Sequence, residues 1–222
     1  MIMKKILFKD RYGLTETVLE KRKTMTRRGI KWDMLCDMRE DSIDFVVSEK
    51  VLLDGRQVFI AYDVAGNPIG QAVSAYHIGE EVAVAQSYKS VVEQDPGNDY
   101  GNYYVKQFRY TPGWTNKMFV RADLMPHRIR ITNIRMERLQ DISDEDAMRE
   151  GVFKYEKPPL HHEADMFAPW APYVKPYKWN SDNLIYRCTA RAAFAALIDK
   201  VSGRGTWERN PWVFVYEFEL VK

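Results

Sequence analysis

Between Glu20 and Ile30 the sequence reads EKRKTMTRRGI, which sets Lys21, Arg22, Lys23, Arg27 and Arg28 around Thr24 and Thr26. A threonine hydroxyl is a weak nucleophile until a base takes its proton. A lysine serves as that base only where burial or neighbouring cations lower its pKa. The stretch therefore has the residue types for an anion or nucleotide site with a hydroxyl at its centre. The competing reading is a solvated basic turn at the negative end of a helix. Spacing sets a condition on the first reading. Lys23 and Thr26 fall on opposite faces of a straight strand but on one face of a helix. They can act together if a helix ends near Lys23 and a strand begins there, with Thr24, Thr26 and Arg28 along one face.

Glu150 is the second unusual residue. ISDEDAMREG reads as a short helix, with Ser143 at its N-cap, Asp146 three residues on and Gly151 ending it. Glu150 then meets the negative end of the helix dipole, which a cation across space such as Lys23 or Arg28 would relieve. The alternative is a solvent-exposed glutamate. His161 and His162, near Glu163 and Asp165, lack any metal-ligand spacing, and Cys36 and Cys188 form no CxxC pattern. No Walker loop, GxGxxG or GxSxG is present, so neither a metal nor a cofactor is expected. Trp114, Trp170, Trp179, Trp207 and Trp212, interleaved with arginines, suit either nucleobase stacking or a core.

These residues need elements to position them. LTETVLEKRK reads as a helix with Leu14 and Val18 on its apolar face, capped by Thr15 or Thr17. Residues 57–76 read as a β-hairpin around VAGNP, and EEVAVAQSY as a strand after a turn at Gly79. Residues 94–116 are rich in Gly, Asn and Tyr and read as a long connection. KMFVRADL is a strand candidate. RIRITNIRMERLQ is a stronger one: Ile129 and Ile131 alternate in one phase, Ile134 and Met136 in the other, which predicts a β-bulge near Asn133. TARAAFAALIDKVSG carries Phe194, Leu197, Ile198 and Val201 on one helical stripe and stops at Gly203. PWVFVYEFELV is a closing strand. About six strands and three short helices, without regular alternation, exclude a doubly wound parallel sheet. They favour an α+β fold, a small mixed β-barrel with peripheral short helices. Residues 152–185, dense in Pro and aromatics, read as an irregular insertion packed on the barrel or covering one mouth.

The 222-residue length fits one elaborated domain, and 45% hydrophobic with 13% aromatic residues suffices for a core. A formal charge of +2 excludes a DNA-packaging protein, so any nucleic-acid role rests on a local patch. The sequence has no long apolar run and its N-terminus is not signal-like, so no membrane association and a cytoplasmic location are expected.

Three segments, in order, resemble the ASCH domain family, whose fold is a PUA-like β-barrel. RKTMTRR resembles its N-terminal motif, IRITNIRMERLQDISDEDAMREG its central strand and acidic helix, and GTWERNPWVFVYEFELV its C-terminal strand. The match is closest to the larger ASCH-like proteins of phages and prophages and covers roughly half the chain. Residues at about 31–75 and 152–185 are elaborations on a single domain spanning 1–222. The resemblance implies a cleft lined by KTMTRR that binds RNA or a modified nucleobase or nucleoside. One small bacterial branch hydrolyses N4-acetylcytidine, and similarity to it makes Lys23 the proton acceptor, Thr26 the nucleophile and Glu150 the proton donor. Thr24, Arg27, Arg28, Trp114 and Arg130 are the candidate ligand-binding residues. Arg27 departs from that branch, which has an apolar residue at this position. Binding therefore ranks above catalysis, and a phage or prophage interaction protein without catalysis is a further alternative.

Overall fold

A computed structural model describes residues 3–35, 40–94, 99–154, 170–171 and 189–221. In chain order the elements are β1 (Lys5–Ile6), α1 (Leu14–Leu19), β2 (Met25–Gly29), β3 (Asp33–Met34), β4 (Phe45–Val51), β5 (Arg56–Tyr62), β6 (Pro68–His77) and β7 (Glu81–Val84). Then come α2 (Tyr88–Gln94), α3 (Asp99–Phe108), β8 (Arg128–Arg138), α4 (Asp144–Arg149), β9 (Phe153–Lys154), β10 (Trp170–Ala171), α5 (Ala190–Ser202), α6 (Thr206–Arg209) and β11 (Trp212–Leu220). The fold is mixed α+β, rich in strands.

One sheet has five strands in the order β1-β7-β8-β11-β2, the other four in the order β3-β6-β5-β4. The expected barrel is not closed by a backbone ladder among the described residues. Instead the five-stranded sheet curls until a side chain joins its two outer strands: Arg28 of β2 donates from Nη2 to the carbonyl of Leu7, just after β1, at 2.7 Å. The two sheets meet through aromatic side chains. Phe59 packs edge-on against Phe214, and Tyr76 against Tyr216. Residues 31–75 supply the second sheet except for the last two residues of β6.

The long strand β8 carries the irregularity that its two apolar phases require. Opposite β11 the register passes from Glu217↔Asn133 to Phe218↔Ile131, leaving Thr132 as the extra residue. Ile129, Ile131 and Ile134 are thereby all buried. Helix α4 begins as expected, with Ser143 Oγ accepting from the Asp146 amide at 3.1 Å. α5 is capped by Thr189, whose hydroxyl accepts from the Ala192 amide at 3.1 Å.

Two segments differ from the sequence reading. Residues 99–108, read as connection, form α3. There Tyr104 and Phe108, one turn apart, both pack on Tyr88, with Phe108 stacked at 4.2 Å between ring centroids. That aromatic burial outweighs the low helix propensity of Gly and Asn. KMFVRADL is no strand but two 3-10 turns, Lys117–Phe119 and Ala122–Leu124. Asn116 caps the first, accepting from the Met118 amide at 3.0 Å. Six α-helices rather than three occur among the described residues. Of the insertion at 152–185, only 152–154 and 170–171 are described, and β9 and β10 pair antiparallel there. His161, His162, Trp179, Cys36 and Cys188 lie outside the described residues.

The first helix is shorter than EKRK suggested, and its ending has a cause. The Lys21 amide bonds the Val18 carbonyl and the Arg22 amide the Thr17 carbonyl, each at 2.9 Å. This is the Schellman pair of bonds, and it puts Lys21 at φ +60°, where glycine is favoured. A left-handed residue with a Cβ costs about 1 kcal/mol relative to glycine. Lys21→Gly is therefore expected to raise unfolding free energy by roughly 0.5–1 kcal/mol in urea titration, whereas Ser143→Ala should lower it by about 1 kcal/mol.

Candidate functional site

The Schellman turn throws the chain from α1 into β2 and delivers Lys23 to a fixed place. The Lys23 amide also bonds the Thr17 carbonyl, at 2.9 Å, and the Thr24 amide bonds the Arg149 carbonyl, at 3.0 Å. The second bond ties the start of β2 to the end of α4, so Lys23 and Glu150 are brought together by backbone. Gly151 completes the junction. It has φ +100°, and a Cβ there would lie 3.4 Å from Thr17 Oγ1 and 3.6 Å from Lys23 Cδ. The switch from helix to strand that the spacing demands is present, with the helix ending at Leu19 and a five-residue connector, Glu20 to Thr24, carrying Lys23.

Lys23 and Glu150 are both buried, 3% and 4% exposed. Lys23 Nζ donates to the Glu150 carbonyl oxygen and to Oε2, each at 2.6 Å. The other carboxylate oxygen, Oε1, accepts from Arg27 Nη1 at 3.1 Å. Arg27 is itself buried and reaches Asp146 Oδ2 at 3.1 Å and Glu137 Oε1 at 3.0 Å. Two cations thus offset the unfavourable position of Glu150 at the helix end; they are Lys23 and Arg27, where the sequence suggested Lys23 or Arg28. Burial pulls the Lys23 ammonium below its ordinary range; Glu150 opposes this, and Arg28 and Arg27 add to it.

Lys23, Thr26, Arg27, Arg28 and Glu150 all line one cavity of about 440 Å³. Its far wall is apolar, formed by Phe194, Leu197, Ile198 and Val201 of α5 with Phe8 and Leu14. Thr26 is 4% exposed and pairs with Tyr216 across the ladder. Its hydroxyl makes no hydrogen bond to another described residue, so it is available to the cavity. Arg28 forms no ion pair among the described residues, and burial lowers its pKa.

The other candidates stand elsewhere. Thr24 accepts from Arg149 Nε at 3.2 Å and joins a charged patch with Glu217, Arg135 and Asp146. Arg130 is exposed and spans Glu81 and Glu219 across the sheet, at 3.0 and 3.2 Å. Trp114 packs beside the cluster of Tyr88, Val91 and Tyr104. None of the three lines the cavity. Trp207 sits edge-on against Phe194, and Trp212 is buried, with Arg138 stacked on it at 4.6 Å. Sequence reasoning missed Phe8, Lys9 and Lys117 as lining residues. It also took the α5 stripe as core alone, although the same stripe ends as cavity wall. Among the described residues no cluster of His, Cys, Asp and Glu could hold a metal ion, and no helix is long and apolar enough to cross a membrane.

Removing one partner of a buried ion pair strands the other, at a cost of roughly 3–5 kcal/mol. Glu150→Gln leaves Lys23 without its carboxylate, removes one of the three that face Arg27, and should destabilise by that amount. Lys23→Met should cost less, because Glu150 keeps Arg27. The pH dependence follows from the lowered Lys23 pKa. Between that value and 10.5 the unfolded chain binds more protons, so the contribution of Lys23 to stability grows as pH rises through this window. The stability of wild type relative to Lys23→Met should therefore increase as pH rises towards 10.5 in urea titrations; a flat or falling difference would contradict the assignment. No family model, curated protein or solved structure matches the chain.

Proposed function

We propose that the chain is an elaborated ASCH-type, PUA-like domain that binds a nucleobase or nucleoside, free or within RNA, in the cavity beside β2. One observation carries this reading: Lys23, Thr26, Arg28 and Glu150 converge on a single cavity that faces the apolar wall of α5. A planar heterocycle has an apolar face and a polar edge, and this cavity offers a counterpart for each. The three segments that resemble the ASCH family support the same reading, since they supply β2, the β8–α4 unit and β11. Cytidine and N4-acetylcytidine are the first ligands to titrate by calorimetry. Arg28→Met is expected to weaken binding about tenfold, equivalent to about 1.4 kcal/mol. Equal affinities for wild type and variant would remove Arg28 from the site.

Amide hydrolysis is the second reading, favoured by the free Thr26 hydroxyl lying in the same cavity as a lysine of lowered pKa. Lys23 Nζ is spent on Glu150 and makes no hydrogen bond to Thr26, so a ligand would have to draw the two together. Incubation with N4-acetylcytidine, followed by chromatography for cytidine, decides between the readings. On the binding reading wild type releases no more cytidine than Thr26→Val does. Release by wild type that Thr26→Val abolishes would establish turnover.

A further inference from the structure

Arg28 has two cavities beside it. The first is the one described above. The second, of about 370 Å³, lies on the other side of the Arg28–Leu7 bridge and shares Leu7, Arg28 and Gly29 with the first. Its walls include Tyr76, Phe214 and Tyr216, and no acidic residue among the described residues lines it. Among the described residues Glu150, already held by Lys23 and Arg27, is the one carboxylate lining either cavity.

The cations along this seam divide into two kinds. Lys23, Arg27 and Lys117 are paired with carboxylates of the protein, while Lys5 and Arg28 donate to backbone carbonyls. Lys9, Arg28 and Lys31 form no ion pair among the described residues. These three are ordered along the seam: Lys9 lines the first cavity, Arg28 both, and Lys31 the second. A row of cations without a carboxylate partner, passing between two aromatic-walled hollows, matches a chain of phosphates with a base on either side.

We infer that the ligand is a single-stranded oligonucleotide of at least two nucleotides, with one base in the Lys23–Thr26 cavity, the linking phosphate at Arg28 and the neighbouring base against Tyr76. This rests on the reading of the first cavity as a nucleoside site. Single strands suit the seam because their unstacked bases can splay to either side of a phosphate, which a paired duplex does not allow. Each hollow is large enough for a base, and each falls in the size range of small-ligand pockets.

The test titrates four probes into the full-length protein: cytidine, cytidine 5′-monophosphate, cytidine 3′-monophosphate and the dinucleotide cytidylyl-(3′→5′)-cytidine. The dinucleotide should bind about tenfold tighter than cytidine and at least threefold tighter than either monophosphate. Tyr76→Leu should reduce the dinucleotide to the affinity of the monophosphates while leaving cytidine unchanged. Lys31→Glu, at an exposed position, should weaken the dinucleotide and spare cytidine, and it keeps the test open if Tyr76→Leu does not fold. A dinucleotide no tighter than the monophosphates would reduce the seam to a single phosphate site and overturn the inference. So would variants that weaken cytidine and dinucleotide alike. If cytidine and N4-acetylcytidine both fail to bind wild type, the proposed function falls first and this inference with it. Normal nucleoside binding without gain from the second nucleotide overturns this inference alone.

Discussion

Three buried charges, Lys23, Glu150 and Arg27, hold together the part of the molecule on which the rest of the site depends. Taking charges out of water costs several kcal/mol per ion, and only close geometry with further hydrogen bonds recovers it. Here Glu150 meets Lys23 on one oxygen and Arg27 on the other, and Arg27 continues to Asp146 and Glu137. The arrangement fixes α4 against β2 and β8 at once. An apolar replacement could fill the same space, but it would not aim a lysine and a carboxylate at one cavity. A cluster of this kind contributes more to defining one geometry than to raising stability.

The backbone prepares this geometry before any side chain contributes. The left-handed turn at Lys21 ends α1 early, and the Thr24–Arg149 bond docks the strand on the end of α4. Gly151, at φ +100°, takes the left-handed backbone by which the chain leaves α4. Strained and permissive residues thus collect at the junction, as expected where local preference yields to the demands of a site.

Much of this was legible in the sequence, for identifiable reasons. The two phases of Ile129–Ile131 and Ile134–Met136 announced the bulge, because a half-buried strand cannot switch phase without an extra residue. Ser143, Gly151 and Gly203 marked helix ends through hydrogen bonds that depend on local sequence alone. The demand for a helix-to-strand switch near Lys23 came from the three-residue spacing to Thr26. What stayed hidden depends on distant partners. Nothing near Tyr104 indicates that Tyr88 waits to receive it, so α3 read as loop. Arg27 read as a ligand contact rather than as the second partner of Glu150, because Asp146 and Glu137 reach it only through the tertiary fold. Trp114 and Arg130 had suitable chemistry but stand where the fold has other uses for them.

The seam bridged by Arg28 has a consequence for the chain's behaviour in concentrated solution. An outer strand presents unpaired backbone groups to any passing strand, and β2 is the outer strand of its sheet. Natural sheets discourage such pairing with charge at the edge. In β2 the arginines do this: Arg27 is locked inward, and Arg28 spans the gap to Leu7. The residues that make the cavity cationic are therefore also the ones that keep β2 from recruiting a second chain. Apolar replacements of both would create a strand prone to self-association, so the chemistry of the site and the solubility of the fold are selected through the same two side chains.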